Sequence, residues 1–579
     1  MINRSLIIPV LLIFTLSATA QVKKQDAGLK REVTLYNPYK PTLPESKKRS
    51  FLPDMNDTSK VRPDFHYDVK TTPFLPEYSI SPLKAASLLP DPLPKLYKSY
   101  INFGIGNYLT PLAEVSITNE RSKKGSIGFY ARHFSTNGNV ELENGKKAFA
   151  GLMDNDASLY GRRFFRKNTL EGSLDYNEKT RHAYGYNPAF SDYNPTNTET
   201  RLPYTSLGAK ASFSSINLDS TEFSYDFHAA YNYFTSETKM YQRKVSVSGM
   251  MAKSYNEFYI GSGLNLDFYH FSDFLKTPSE YVAGISPFFK KSSEEWSFKL
   301  GLQALLEKDM TAFTILHVYP DVNFSFNVVP SYINFFAGLS GKLEKNEPSK
   351  VILENPFVIT DGSLYKLPST SHSLIISTGL KGNTGMGGTY LISGSYSIIK
   401  DMLFYSNISI PDTLKPKRGN YFSALSDDVE LLNIHGEIGG PINDKLSFLG
   451  AVNLYDYSLS RFQYAWDKPG WDGKLGLKYN LRDKIIAGME ISVQGKRREI
   501  VNGDYIPTPP GPSVPATVDP RVIVEMPSHF NLNLSAEYRY SKILSFWTKF
   551  NNISNRRYYE WVYYPSEGFL FMVGFTYSL

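Results

Sequence analysis

The chain has 579 residues, a formal net charge of +7, no cysteine and 15% aromatic residues, among them 41 Tyr and 38 Phe, at a mean hydropathy of −0.31. The absence of cysteine excludes disulfide frameworks, thiol nucleophiles and thiolate metal sites, and so small a charge, scattered along the chain, gives no basis for nucleic-acid binding. Many rings at modest hydropathy, with no second long apolar run after the N-terminus, exclude a bundle of membrane helices and suit a barrel whose alternate residues face lipid.

Residues 1–20 read as a secretion signal. Arg4 supplies the positive region, Leu6–Leu16 the apolar region, and Ala18-Thr19-Ala20 a small-x-small cleavage site before Gln21. The apolar run is too short for a membrane helix, and no cysteine follows it to accept a lipid. The mature chain, 21–579, is expected to leave the cytoplasm.

Residues 21–97 carry eleven prolines and neither helical nor strand periodicity. Proline at this density removes backbone donors and favours extended conformations, so this reads as an extended N-terminal segment, periplasmic or lumenal, with no globular plug.

From Lys98 onward the sequence reads as strands. Phe223, Tyr225, Phe227, Ala229, Tyr231 and Tyr233 alternate with Glu222, Ser224, Asp226, His228 and Asn232. Trp296, Phe298, Leu300 and Leu302 alternate with Ser297, Lys299, Gly301 and Gln303. Phe530, Leu532, Leu534, Ala536, Tyr538 and Tyr540 alternate with Asn531, Asn533, Ser535, Glu537 and Arg539. The chain ends on the same pattern: Phe569, Phe571, Val573, Phe575, Tyr577 and Leu579 share one face, and Met572, Gly574, Thr576 and Ser578 the other. A soluble secreted β-protein such as a propeller would repeat every 40–50 residues or so, and no such repeat is found.

Connections between strands alternate in length. Long ones fall at 135–156, 179–203, 345–369, 405–428, 460–470, 502–528 and 554–567, and tight ones at 443–445, 482–484 and 541–542. External loops and periplasmic turns alternate in this way in outer-membrane barrels. The reading is an all-β, transmembrane antiparallel β-barrel of about 22 strands over 98–579. The last strand would close against a first strand at 100–108, leaving no sheet edge. A barrel this wide needs its lumen occluded, by the proline-rich segment, by external loops or by a partner.

No catalytic, cofactor-binding or metal-ligating constellation stands out, and an enzyme is not expected. The nine histidines are scattered. Glu222, Asp226, His228, Glu537 and Arg539 read as polar lumen lining. The Gly382–Gly388 run lacks the Lys-Ser/Thr of a phosphate loop and reads as a turn. Tyr558, Tyr559, Trp561, Tyr563 and Tyr564 read as an interfacial aromatic girdle extending onto a loop, with ligand stacking as the alternative. The prolines between Pro507 and Pro520 make an extended, stiff loop.

The run Phe550-Asn551-Asn552-Ile553-Ser554-Asn555-Arg556-Arg557-Tyr558-Tyr559, then Tyr564-Pro565-Ser566-Glu567-Gly568 and the alternating end, resembles the closing strands of TonB-dependent receptors. The resemblance implies a plugless relative of that family in the outer membrane of a Gram-negative bacterium, a receptor or transporter of some substrate. The alternative is a non-transporting barrel subunit of an outer-membrane assembly or secretion complex. By the same resemblance, Glu32-Val33-Thr34-Leu35-Tyr36 is the candidate TonB-contact segment, acting by strand addition. Phe575, Tyr577 and Leu579 form the candidate signal for the barrel-assembly machinery, with Leu579 where an aromatic is usual. Expected partners are outer-membrane lipid, that machinery, and TonB or a lid or scaffold protein.

Overall fold

A computed structural model describes residues 97–119, 122–185, 196–216, 222–238, 240–272, 279–309, 313–360, 364, 366–385, 387–408, 420–501 and 523–579. They lie within the compact unit Lys95–Leu579. The main sheet has 22 strands, all pairings are antiparallel, and the first strand, Ser99–Gly106, pairs with the last, Leu570–Ser578, so the sheet closes on itself. No helix among the described residues is long and apolar enough to cross a membrane.

Alternation assigns the two faces. Around one flank the rungs Phe129↔Leu159, Leu159↔Leu174, Ala209↔Tyr231, Tyr231↔Val245 and Val245↔Phe268 all point outward. Most of these large side chains are exposed, as are Leu264, Ile285, Leu300 and Ile434 elsewhere on the exterior. An apolar belt on a closed sheet is stable only against hydrocarbon, and closure pairs every ladder group that lipid could not satisfy. The inner face is polar: Arg132 pairs with Glu114 at 3.3 Å and Asp156 at 3.6 Å, and Ser158 donates to Asp175 at 2.7 Å.

The start of the first strand, the end of the last and the tight turns occupy one end of the barrel. At 482–484 both Arg482 (φ 51°) and Asp483 (φ 55°) are left-handed, as the mirror-image turn of a two-residue hairpin demands. The long connections lie at the opposite end. That end departs from the simple reading in two ways. The connections after the first and seventh strands are short, 107–109 and 237–240. The link expected at 405–428 shrinks to 409–420, because strands Thr389–Ile408 and Tyr421–Pro441 run through it. Tyr405 and Phe422, both 0% exposed, lie in these extensions and are covered by neighbouring connections rather than by water.

The wall is uneven. Strands beside the seam have 8 to 9 residues, while the longest two have 20 and 21. A tilted strand needs about 9–11 residues to cross the apolar band, so the seam strands barely cover it, while the longest strands project well beyond it and carry the loops.

Candidate functional site: the capped mouth of the barrel

The connection 345–369 is tied to the wall before it turns inward. Lys345 lies 2.5 Å from Glu280 and 3.5 Å from Glu307, all three nearly buried. Glu347 accepts from Lys244 at 2.7 Å and from Gln242, and the Gln242 carboxamide oxygen accepts from the Ser349 backbone at 3.2 Å. Pro348 then starts the helix Pro348–Glu354, where its missing N–H is no loss. Val351 and Ile352 of that helix are buried, while Leu353 on its other face is exposed. After the helix, the Phe357 N–H bonds Asn355 Oδ1, and the chain bridges in parallel to Phe422: the Phe422 N–H donates to Phe357 at 3.1 Å and the Ile359 N–H to Phe422 at 2.9 Å.

Three connections meet through this segment. Phe357 stacks on Tyr564 of 552–569 with ring centroids 3.6 Å apart, and Tyr184 of 183–200 packs edge-on to both, at 6.4 Å from Phe357 and 5.2 Å from Tyr564. Hydrogen bonds fix the arrangement. The Tyr184 hydroxyl donates to the Pro565 carbonyl at 2.9 Å, Tyr204 to the Pro356 carbonyl at 2.6 Å, and Tyr564 to the Asn420 carbonyl at 2.8 Å. The three connections follow the fifth, thirteenth and twenty-first strands of the barrel, so they leave the wall about a third of its circumference apart. Their rings touch only because all three connections reach in over the mouth.

The contact is the centre of a hydrophobic core, which also takes Leu202, Phe234, Tyr269, Phe271, Val282, Leu305 and Tyr319 from the inner faces of the strands, and Trp561, Val501 and Met526 from the loops. This core caps the long-loop end. Gly185 permits the approach, since a Cβ there would stand 2.5 Å from the Tyr564 ring. Burial on this scale contributes roughly 1.5–3 kcal/mol per large side chain.

A polar joint lies beside the core. Asp427, 0% exposed, accepts the backbone amides of Arg461 and Phe462 at 2.9 Å each and so shapes the connection 460–470. Arg497, at the start of the hairpin Arg497–Ile500/Ile523–Met526, donates to Asp467 Oδ1 at 2.7 Å, to the Glu560 carbonyl at 2.8 Å and to the Tyr559 carbonyl. One guanidinium therefore fastens three connections, and a planar fork with five donors is suited to that. Burial pushes Asp467 up to about 7 against the opposing pull of Arg497 and Lys468. Glu499, fully buried two residues beyond Arg497, is raised well above the carboxylate range by burial and then by Asp467. Among the described residues no side chain bonds either of its oxygens, and the contact that favours its charged form by hydrogen bonding is with the Asn407 backbone.

The sequence-derived candidates are distributed as follows. Asp226, His228, Glu537 and Arg539 lie on the inner face, with His228 3.1 Å from Asp226 and Arg539 3.2 Å from Glu537. Glu222 precedes its strand and pairs with Lys167 at 2.6 Å near the tight-turn end, so these residues form three separate pairs rather than one site. Phe575 and Tyr577 face outward, and Leu579 exchanges backbone hydrogen bonds with Ser99. Glu32, Val33, Thr34, Leu35 and Tyr36, and the proline loop, lie outside the described residues. The aromatic cluster needs correction as a girdle: Trp561 and Tyr564 are 5% and 1% exposed and form part of the cap. Sequence reading missed Tyr184, Phe357, Arg497 and Glu499. The apolar runs Val351-Ile352 and Phe357-Val358-Ile359 inside a long connection were the available signal, because a solvated loop has no use for them.

No protein-family model matches the sequence, and no curated protein matches it. Solved structures match its fold. The ferric enterobactin receptor PfeA of Pseudomonas aeruginosa aligns over 83% of this chain and 80% of its own, with TM-score 0.59 and 11% identity. The FrpB iron transporter of Neisseria meningitidis aligns over 84% and 82%, with TM-score 0.63 and 11% identity. The ferric-catecholate import receptor Fiu of E. coli K12 aligns over 84% and 82%, with TM-score 0.60 and 8% identity. The chain has the barrel fold of TonB-dependent receptors.

Proposed function

We propose that this chain is an outer-membrane receptor or transport barrel whose external mouth is closed by its own loops. The observation that carries the reading is the meeting of Tyr184, Phe357 and Tyr564 over the mouth, from three points spread around the wall. A lumen enclosed by 22 strands must be shut against free leakage, and a cap of loops shuts it on the side from which a substrate would arrive. The fold supports the transport class, because the similar structures are receptors and transporters of iron complexes and, in another case, copper. On this reading the signal peptide is removed before Gln21, no globular plug precedes the barrel, and Glu32–Tyr36 is the segment for TonB. Deleting Val33–Tyr36 abolishes uptake if TonB drives opening and leaves it unchanged otherwise.

The chain has no cysteine, so one introduced cysteine reports on one place. Met250, 41% exposed, lies on the inner face toward the tight-turn end. In intact cells at pH 5, Met250→Cys should be protected from a membrane-impermeant maleimide, whereas Leu109→Cys, on an exposed turn at the loop end, should label rapidly. Replacing 347–367 by a short Gly-Ser linker should expose Met250→Cys, a change the wall tolerates because Asn346 and Pro368 are already in contact. Equal labelling of Met250→Cys and Leu109→Cys at pH 5 in the otherwise unaltered chain would contradict the reading. A non-transporting subunit would show the same protection but no uptake of any substrate, and would purify with stoichiometric partners.

A further inference from the structure

The joint beside the aromatic core has more negative charge than its cation can neutralise. Asp467 and Glu499 both face Arg497, and the other charged groups acting on the pair are Lys468, from the connection 460–470, Glu354, from the end of the short helix, and Glu560, from 552–569. The Tyr405 hydroxyl, which donates to Glu354, faces Asp467. His529, on the strand after the hairpin, faces Arg497 and is held below its ordinary value by burial and then by that cation, which favours its neutral form. Lys468 is itself engaged by Glu354 at 3.4 Å. Arg497 donates to Asp467 and to the backbone carbonyls of Glu560 and Tyr559 and makes no hydrogen bond to Glu499, whose hydrogen-bonding contact is with the Asn407 backbone. An isolated ionised carboxylate in a dry core is far more costly than a neutral one, and two carboxylates facing one cation resist ionising together.

We infer that Asp467, Glu499 and Arg497 form a proton-operated latch: the cap is closed while Glu499 is uncharged, and it loosens when both carboxylates are ionised. The device acts on the cap because Arg497 is the point where 460–470, the hairpin and 552–569 are tied together, and 552–569 carries Tyr564 into the central stack. The sign follows from proton binding. In the closed cap both carboxyls retain protons to higher pH than they would in water, burial being the main cause, and Asp467 does so up to about 7. Opening therefore releases protons, and closure is favoured most at pH below the ordinary carboxylate range of about 4.5. Its advantage is lost progressively as pH rises toward 7. Acid outside the cell keeps the mouth shut, and neutral to mildly alkaline conditions release it.

This inference rests on the capped-mouth reading and is tested so that the two fail separately. The maleimide rate at Met250→Cys is measured in intact cells from pH 5 to pH 8 and divided at each pH by the rate at Leu109→Cys, which cancels thiol reactivity. The ratio should rise about tenfold or more across this range, since one retained pKa unit corresponds to a factor of ten. In Glu499→Gln, which keeps shape and removes the charge, the ratio should stay at its low-pH value throughout, and Asp467→Asn should flatten it similarly. A ratio near one at every pH overturns the cap itself. A low ratio that does not change with pH, or a rise that persists in Glu499→Gln, leaves the cap standing and overturns the latch.

Discussion

Trp547 donates its indole Nε1–H to Asn102 Oδ1 at 2.7 Å, across the seam where the barrel closes. Between them in the sheet lies the last strand, and the ring lies over Gly574 of that strand and Gly104 of the first: a Cβ at either position would fall 2.3–2.5 Å from ring carbons. The seam has only seven register pairs, so a flat ring spanning both glycines adds contact that the short ladder lacks. Trp547→Ala should lower the temperature at which the barrel loses its heat-modifiable mobility on gels, a loss of about 3–5 kcal/mol being typical for a buried Trp. Trp547→Phe, which keeps the ring and loses the bond, should recover most of it. Gly574→Val should be worse than Trp547→Ala, because it meets both the ring and the Phe103 carbonyl.

At the end of that strand, Leu579 exchanges backbone bonds of 2.9 and 3.1 Å with Ser99 while its side chain is 59% exposed. The backbone pairing can survive substitution, so Leu579→Asp tests recognition during assembly rather than the folded wall. The expected outcome is a several-fold lower level in the outer membrane with normal heat-modifiability of whatever is inserted. Unchanged levels would remove Leu579 from the assembly signal.

Within the cap, Phe357→Ala and Tyr564→Ala should be coupled. Each removes the same stacked contact, so the second substitution should cost about 0.5–1.5 kcal/mol less in the presence of the first. A double-mutant cycle on cap protection at Met250→Cys measures this, and simple additivity would show that the rings do not act as one unit.

At the joint, Arg497→Met should be more damaging at pH 8 than at pH 5. Without the guanidinium, Asp467 and Glu499 must both be neutral to stay buried. Above neutrality their ionisation opposes closure, whereas at pH 5 protonation relieves it. Thermal melts at the two pH values check this; equal losses at both would mean that Arg497 acts only through its carbonyl bonds.

The barrel was legible in the sequence because its information is local: Phe575 and Tyr577 face lipid by strict alternation, and the tight turn at 482–484 and the expected strand number both reappear in the fold. The cap was not legible, because its contacts join residues far apart in sequence and around the wall. Tyr184 and Tyr564 are adjacent only once 22 strands have closed, and nothing in the sequence near either one marks the other. Trp561 and Tyr564 were visible as an aromatic cluster, but a ring at a lipid interface and a ring in a loop core have the same composition. Glu499 gave no signal at all, since a carboxyl on a short exposed-looking hairpin reads as solvated until burial is known.

The central claim is that the loops themselves close the mouth, and conductance in a planar bilayer addresses it most directly. At pH 5, where the latch holds the cap shut, the full chain should insert without large steps, and the variant with 347–367 replaced by a Gly-Ser linker should show large, long-lived openings. A large permanently open pore in the full chain, or a variant as silent as the full chain, would contradict it.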